Sequence, residues 1–508
     1  MFFLIEYLYI KRFSFILSFA FISACGGGGE GGVSVTASSS NTVSTINQPI
    51  IFQPSSLVAQ LYQGDVNSIS GDVIVNQKFD QSVNLRIDDL KGITSGAPSV
   101  SVKNGAAHYF LPVSSKLLPG SYDGILEVSL CYDSSATCQQ PYAGSPWHVP
   151  YHIDIRPLPN LIALSAIAGA GDWSTYKGNN AHTGFVPINL NPEKFSLRFR
   201  WAADKLINGS ISSLTTKGGI TSFHVDDNGR QITAAYAIDE SLGVLRWKTK
   251  GITFGAVSDG DNIYYIPGNV STTPIVFSAN RATGVQSDAL VFKYSYSTFG
   301  IVDGGVFYSS DSQYPVVDKD YWYSFKSPNL SKISKTSRTT VSQSVVAGID
   351  SVVNPNTLLM TKCSESAFLF SSRKFFSTDP TGYVSNYDPS TMKLNWTYTG
   401  NLGVDLVCNG SVFYVFNNSR LEERRLIDGE LNWSWTSNEN TLLNTKLLLT
   451  NTHLLLLKSG KISAFSLIDR KVVWSHYFPE NGDLAVSRDG VLYATGTTYG
   501  ILYAFNLQ

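Results

Sequence analysis

Histidine and cysteine carry most of the reactive chemistry in this 508-residue chain, and their spacing leaves little for it to do. His148 and His152 stand four apart, the spacing that brings two metal ligands together on a helix. Their segment reads as a strand, where four residues span roughly 13 Å, too far for one ion to hold both. His453 adjoins apolar residues on another strand, which suits a core or surface imidazole. No cysteine has Cys-x-x-Cys spacing with histidines nearby, as a zinc site would require. A Gly-x-Ser-x-Gly elbow and a Gly-x-x-x-x-Gly-Lys-Ser/Thr phosphate loop are both missing. On this reading no residue is assigned as catalytic and none as a metal ligand.

The elements that would position any site are strands. Aromatic residues make up 12% of the chain and charged residues only 15%, which favours a large strand-rich core over helices or disorder. A net charge of −1 gives no footprint for nucleic acid. One unit keeps returning: strand, tight polar turn, strand with a Trp. It occurs at Ile238–Trp247, Tyr387–Trp396, Ile427–Trp433 and Leu467–Trp474. A period of roughly 40 residues indicates a propeller.

A second marker, an apolar hairpin around a Gly/Asn/Asp turn, falls near Gly219, Gly260, Gly304, Glu365, Asn409, Asn451 and Asp489. Seven hairpins imply seven four-stranded blades. The long interval from Gly304 to Glu365 contains the Ser/Thr-rich 326–344, read as a surface insertion, with an eighth degenerate blade as the alternative. No Trp strand follows the last hairpin. Leu197–Trp201, a Trp strand without a blade of its own, is therefore expected to complete it and close the ring.

The whole chain is expected to be all-β. Residues 1–24 read as a signal peptide, 25–33 as a Gly-rich tether, 34–157 as a β-sandwich, 158–171 as a linker and 172–508 as the propeller. Cys131 and Cys138 bracket a short turn and suit a disulfide, with two free thiols as the alternative. Cys363-x-x-Ser366-Ala367-Phe368 aligns with Cys408-x-x-Ser411-Val412-Phe413, so these two cysteines hold one strand position in adjacent blades. They form an inter-blade disulfide if their Cα atoms come within about 7 Å, and otherwise stay buried thiols.

Three resemblances add to this. Ile22-Ser23-Ala24-Cys25 after a basic and an apolar stretch resembles the bacterial lipobox, which implies lipidation of Cys25 and, with Gly26 following, an outer-membrane lipoprotein facing the periplasm or the surface. Leu118–Val128 is similar to the Pro-Gly-x-Tyr strand opening of bacterial immunoglobulin-like modules. Ala237–Trp247, together with Gly171–Gly184, resembles the repeat and opening segment of propellers of the pyrroloquinoline-quinone (PQQ) type, a family that includes quinoprotein dehydrogenases and BamB-like assembly lipoproteins. There the Trp lies flat on the Gly-containing turn of the next blade. Carried over, Trp201, Trp247, Trp396, Trp433 and Trp474 dock on turns such as those of Gly243, Gly284 and Gly429, and His182 makes a structural hydrogen bond.

The dehydrogenases seat their quinone on a disulfide of adjacent cysteines, and this chain has no Cys-Cys pair, so PQQ is not expected and no cofactor is assigned. The expected role is a lipid-anchored, non-enzymatic envelope scaffold that binds an envelope or surface protein, as in outer-membrane assembly. A PQQ-dependent redox enzyme and a glycan-binding surface adhesin are the alternatives.

Overall fold

Alternation decides the first unit. In Leu57–Tyr62 and Trp147–Arg156 buried and solvent-facing side chains alternate, the pattern of strands covered on one face. The structure, a computed structural model, describes residues 50–508 except for short stretches, the longest being 346–357 and 374–381. The lipidation expected at Cys25 and the tether lie outside the described residues.

Two four-stranded sheets make the N-terminal unit. One orders Ile50–Gln53, Ser68–Val75, Ala106–Pro112 and Ser99–Lys103; the other orders Leu57–Tyr62, Trp147–Arg156, Gly120–Cys131 and Asn84–Asp89. Leu57–Tyr62 runs parallel to Trp147–Arg156. Both sheets bury their inner faces in one core around Val73, Tyr109, Leu126, Val149 and Ile153, which makes a β-sandwich. Cys131 and Cys138 are bonded at the hairpin between the last two strands, with Cα atoms 5.2 Å apart.

The remainder forms a ring of antiparallel sheets. Blades 1 to 7 cover residues 209–248, 253–291, 299–310, 316–345, 358–400, 402–436 and 446–478; blade 8 combines 484–506 with 196–202. Their first strands neighbour one another in this order and return from blade 8 to blade 1. Among the described residues the propeller has eight blades: the alternative of an eighth blade between Gly304 and Glu365 holds, and the count of seven does not. Blade 3 shows two strands among the described residues.

The supposed insertion at 326–344 is instead the third and fourth strands of blade 4, Asn329–Ser334 and Thr340–Val345. Its turn matches the others. In each of six blades the last turn residue takes a left-handed conformation: Gly243, Gly284, Arg338, Met392, Gly429 and Arg470. Each donates its N–H four residues back, for example Gly243 to Asp239 O at 2.8 Å and Arg338 to Ser334 O at 2.9 Å. Glycine adopts this conformation without strain. Arg, Met and Arg hold it in blades 4, 5 and 7, so the shape repeats where the letters do not.

Ring closure follows the expected route. Ser196–Ala202 pairs antiparallel with Ile501–Asn506. A bulge shifts the register at Arg198, just as one does at Arg246 in blade 1. Phe199 therefore faces Ala504, the place that Trp247 takes opposite Ala237 and Trp474 opposite Ala464.

Candidate functional site

A strap crosses one face of the ring. Residues 173–184 follow the inner rim, and the first strands bond to them in ring order. Thr216 of blade 1 donates to Trp173 O, Ser258 of blade 2 to Ser174 O, and Val317 of blade 4 to Asn180 O. Lys362 of blade 5, Cys408 of blade 6 and Leu449 of blade 7 donate to the carbonyls of Ala181, Thr183 and Gly184, all at 2.7–3.0 Å. Each strap carbonyl thereby satisfies an amide at the end of an inner strand. The strap needs close approach at Gly184, where a Cβ would meet Val407 at 2.5 Å.

His182 belongs to this strap and makes the structural contact expected of it. Its Nδ1 lies 3.2 Å from Met360 O, its own carbonyl accepts from Thr361 Oγ1, and it is buried. Burial lowers its pKa to about 3, so the ring stays neutral at physiological pH. His148 and His152 pair instead with Glu127 at 3.3 Å and Asp123 at 2.7 Å on the sandwich. Among the described residues no group of three His, Cys, Asp or Glu is placed to hold a metal.

Two lysine–carboxylate pairs lie at or beside the strap. Lys177 pairs with Asp405, and its Nζ also donates to Leu447 O at 3.1 Å. Burial pulls the Lys177 ammonium below the usual lysine range, and Asp405 opposes this. Lys446 lies 3.3 Å from Asp483 and near the Tyr176 ring, and the side chains of that pair are about one-third solvent-exposed, 37% and 33%.

The docking residues sort as follows. Trp247 lies over Gly284, where a Cβ would come within 2.6 Å of its indole, and its Nε1 donates to Arg281 O at 2.7 Å. Trp396 does the same over Gly429, with Nε1 to Leu426 O at 3.0 Å. Trp433 faces a turn without glycine: the Arg470 guanidinium lies 5.2 Å from its ring centroid, and Phe465 stacks on it. Trp474 meets Phe505 and Phe195 edge-on.

Trp201 does not dock on Gly243. Phe199 does, with 2.8 Å to a Cβ placed there, while Trp201 packs edge-on against Phe223 and Tyr236 of blade 1. The bulge at Arg198 moves the docking position two residues back. Sequence reasoning also passed over Arg198 itself. It is 1% exposed and clasps the closing seam, donating to Glu240 O, Ser241 O, Ile162 O and Asn506 Oδ1 at 2.7–2.9 Å. The strand carries two arginines, Arg198 and Arg200, and nothing in the sequence singles out the buried one.

Cys363 and Cys408 are bonded across blades 5 and 6, with Cα atoms 5.7 Å apart. They sit in a core with Leu359, Leu369, Leu406 and Phe413. Asp405 and Asp483 are each held by a lysine.

The turns around the strapped face end in apolar tips. Ile427 and Ile468 occupy one turn position in neighbouring blades 6 and 7 and are 82% and 80% exposed; Leu242 and Val285 project from blades 1 and 2. Charged side chains flank them, including the Arg425–Asp428 pair at 2.5 Å.

No family model matches the chain, and no curated protein does. Solved structures do. A europium-containing methanol dehydrogenase aligns with a TM-score of 0.41 at 10% identity, covering 66% of this chain and 98% of that one. BamB from Moraxella catarrhalis aligns at 0.36 and 10% identity, over 61% and 99% of the two chains. The WD40 β-propeller domain of Doa1 aligns at 0.37 and 8%, over 62% and 97%. All are propeller folds, and likeness this distant says nothing of activity.

Proposed function

We propose that this chain is a lipid-anchored scaffold of the cell envelope, held at the outer membrane through Cys25, whose propeller docks a partner protein without catalysing a reaction. The observation that carries the reading is the pair of apolar tips, Ile427 and Ile468, repeated at one turn position in adjacent blades and ringed by charge. Exposed apolar side chains repeated along one face and flanked by charge suit the core and polar rim of a protein-binding patch. The partner is an envelope protein with an apolar patch of its own, and outer-membrane assembly is one setting for it.

Photo-crosslinking in intact cells from probes placed at the exposed neighbouring positions 430 and 471, with both isoleucines kept, tests this. A discrete adduct is expected, lost when Ile427→Asp/Ile468→Asp is added to the probe-bearing protein while its melting temperature stays that of the parent. An adduct unchanged by the double substitution, or adducts with lipid alone, would sink the proposal.

A further inference from the structure

The seam between blades 4 and 5 differs from its neighbours at one position. The residue after the turn's first position is buried in several blades and can reach the blade before it. In blade 1 it is Glu240, fully buried and accepting from Thr221 Oγ1 of its own blade at 2.6 Å. Arg281 of blade 2 reaches Ser222 Oγ of blade 1 at 2.8 Å, Leu426 of blade 6 packs with Leu359 and Val384 of blade 5, and Leu507 of blade 8 is buried. Blade 5 has Pro389, whose ring is too short to reach across.

Proline also removes a hydrogen bond. Glu240, Arg281, Lys335, Leu426, Leu467 and Leu507 each donate a backbone N–H to the first hairpin of their own blade, at Gly219, Asp261, Asp320, Ser411, Thr452 and Gly490. Pro389 has no N–H to give. The seam lacks its Trp as well, since Ser342 stands opposite Lys332 where the pattern places one. Lys332 takes over the indole's bond, donating from Nζ to Pro389 O at 2.7 Å, as Trp247 and Trp396 donate to the carbonyls of Arg281 and Leu426.

The result is a cleft of about 330 Å³ between the two blades, within the range of small-molecule sites. Its walls carry three carboxylates, Asp318, Asp320 and Glu365, and three ammonium groups, Lys319, Lys332 and Lys362, so their charges cancel. Lys362 bridges Asp318 at 2.9 Å and Glu365 at 3.1 Å, and Tyr323 donates to Asp318 at 3.1 Å. These bonds fix the polar groups before any ligand arrives. Tyr321 adds a flat ring, with Lys332 Nζ 4.1 Å from its centroid.

We infer that this cleft binds a neutral saccharide. Balanced walls offer little to a net charge. A sugar's hydroxyls donate to the carboxylates and accept from the ammonium groups at once, while its C–H face suits an aromatic ring. The site stands independently of protein docking at Ile427 and Ile468.

Saturation-transfer NMR of the whole protein with glucose, galactose, N-acetylglucosamine and maltose tests it. At least one sugar is expected to bind with a Kd on the order of 1 mM. Pro389→Leu supplies the leucine found in blades 6 and 8 and restores the missing N–H; it should weaken binding at least about tenfold without lowering the melting temperature. Glu365→Ala removes a carboxylate that is 95% exposed, cannot endanger the fold, and should weaken binding severalfold. Silence across the sugar panel overturns the inference. Full binding in both variants does so too, as does binding of glycylglycine or inorganic phosphate with no sugar.

Discussion

Arg198 and Arg246 fill the same bulge in blades 8 and 1, so replacing each by Met separates the effect of burial from that of position. Arg198→Met keeps the stem and deletes a guanidinium that serves three carbonyls and the Asn506 side chain. At 1% exposure, water cannot replace it. Each orphaned buried acceptor costs about 1–3 kcal/mol. Removing the charge returns part of its own desolvation, so a net loss of about 3–5 kcal/mol is expected. Arg246 is 42% exposed and pairs with Asp239 at 2.5 Å. Arg246→Met leaves the 8%-exposed Asp239 the N–H bonds of Ser241 and Leu242 and should therefore cost less, about 1–2 kcal/mol. Urea unfolding followed by tryptophan fluorescence measures both. Equal losses, or an Arg198→Met variant within about 0.5 kcal/mol of wild type, would refute the clasp.

Phe199→Ala should cost about 3–5 kcal/mol by emptying the docking site over Gly243, and more than Trp201→Ala; the reverse order in the same assay would restore Trp201 to that role. Glu240 is pushed up to about 7 by burial from an ordinary value near 4.5. Between those values the folded chain keeps a proton that the unfolded chain has lost, so stability falls as pH rises from about 4.5 to 7, by about 3 kcal/mol. Glu240→Gln should flatten that slope, and an unchanged profile by calorimetry would show that Glu240 does not cause it. Cys363→Ser/Cys408→Ser opens a 45-residue separation and should cost about 4 kcal/mol in chain entropy, against about 2 kcal/mol for the 7-residue separation of Cys131 and Cys138; unfolding with and without reductant compares the two.

The repeat was legible where side chains carry it. Trp247, Trp396, Trp433 and Trp474 marked four blades, and Leu197–Trp201 marked the closing strand. Blade 4 escaped because its turn depends on a backbone bond from Arg338 N–H to Ser334 O, which any residue can make, while Ser342 replaces the marker Trp. Phe199 escaped for a related reason: a bulge shifts the facing residues, and no turn precedes this strand to set the register. The course of the strap was invisible, because its partners are amides spread over six blades. Only the likeness of 171–184 to a propeller opening hinted at it.

That strap has a consequence for how the molecule comes into being. It lies upstream of every blade, so its carbonyls leave the ribosome, or a translocation pore, before any of the amides that will hold them exist. Its contacts reach from Trp173 to Leu449, and the closing strand waits for Ile501–Asn506. Such long-range pairing slows folding. The ring cannot lock while its C-terminal part is still being made. It also means that a truncation within the last strand would leave the first segment without its place.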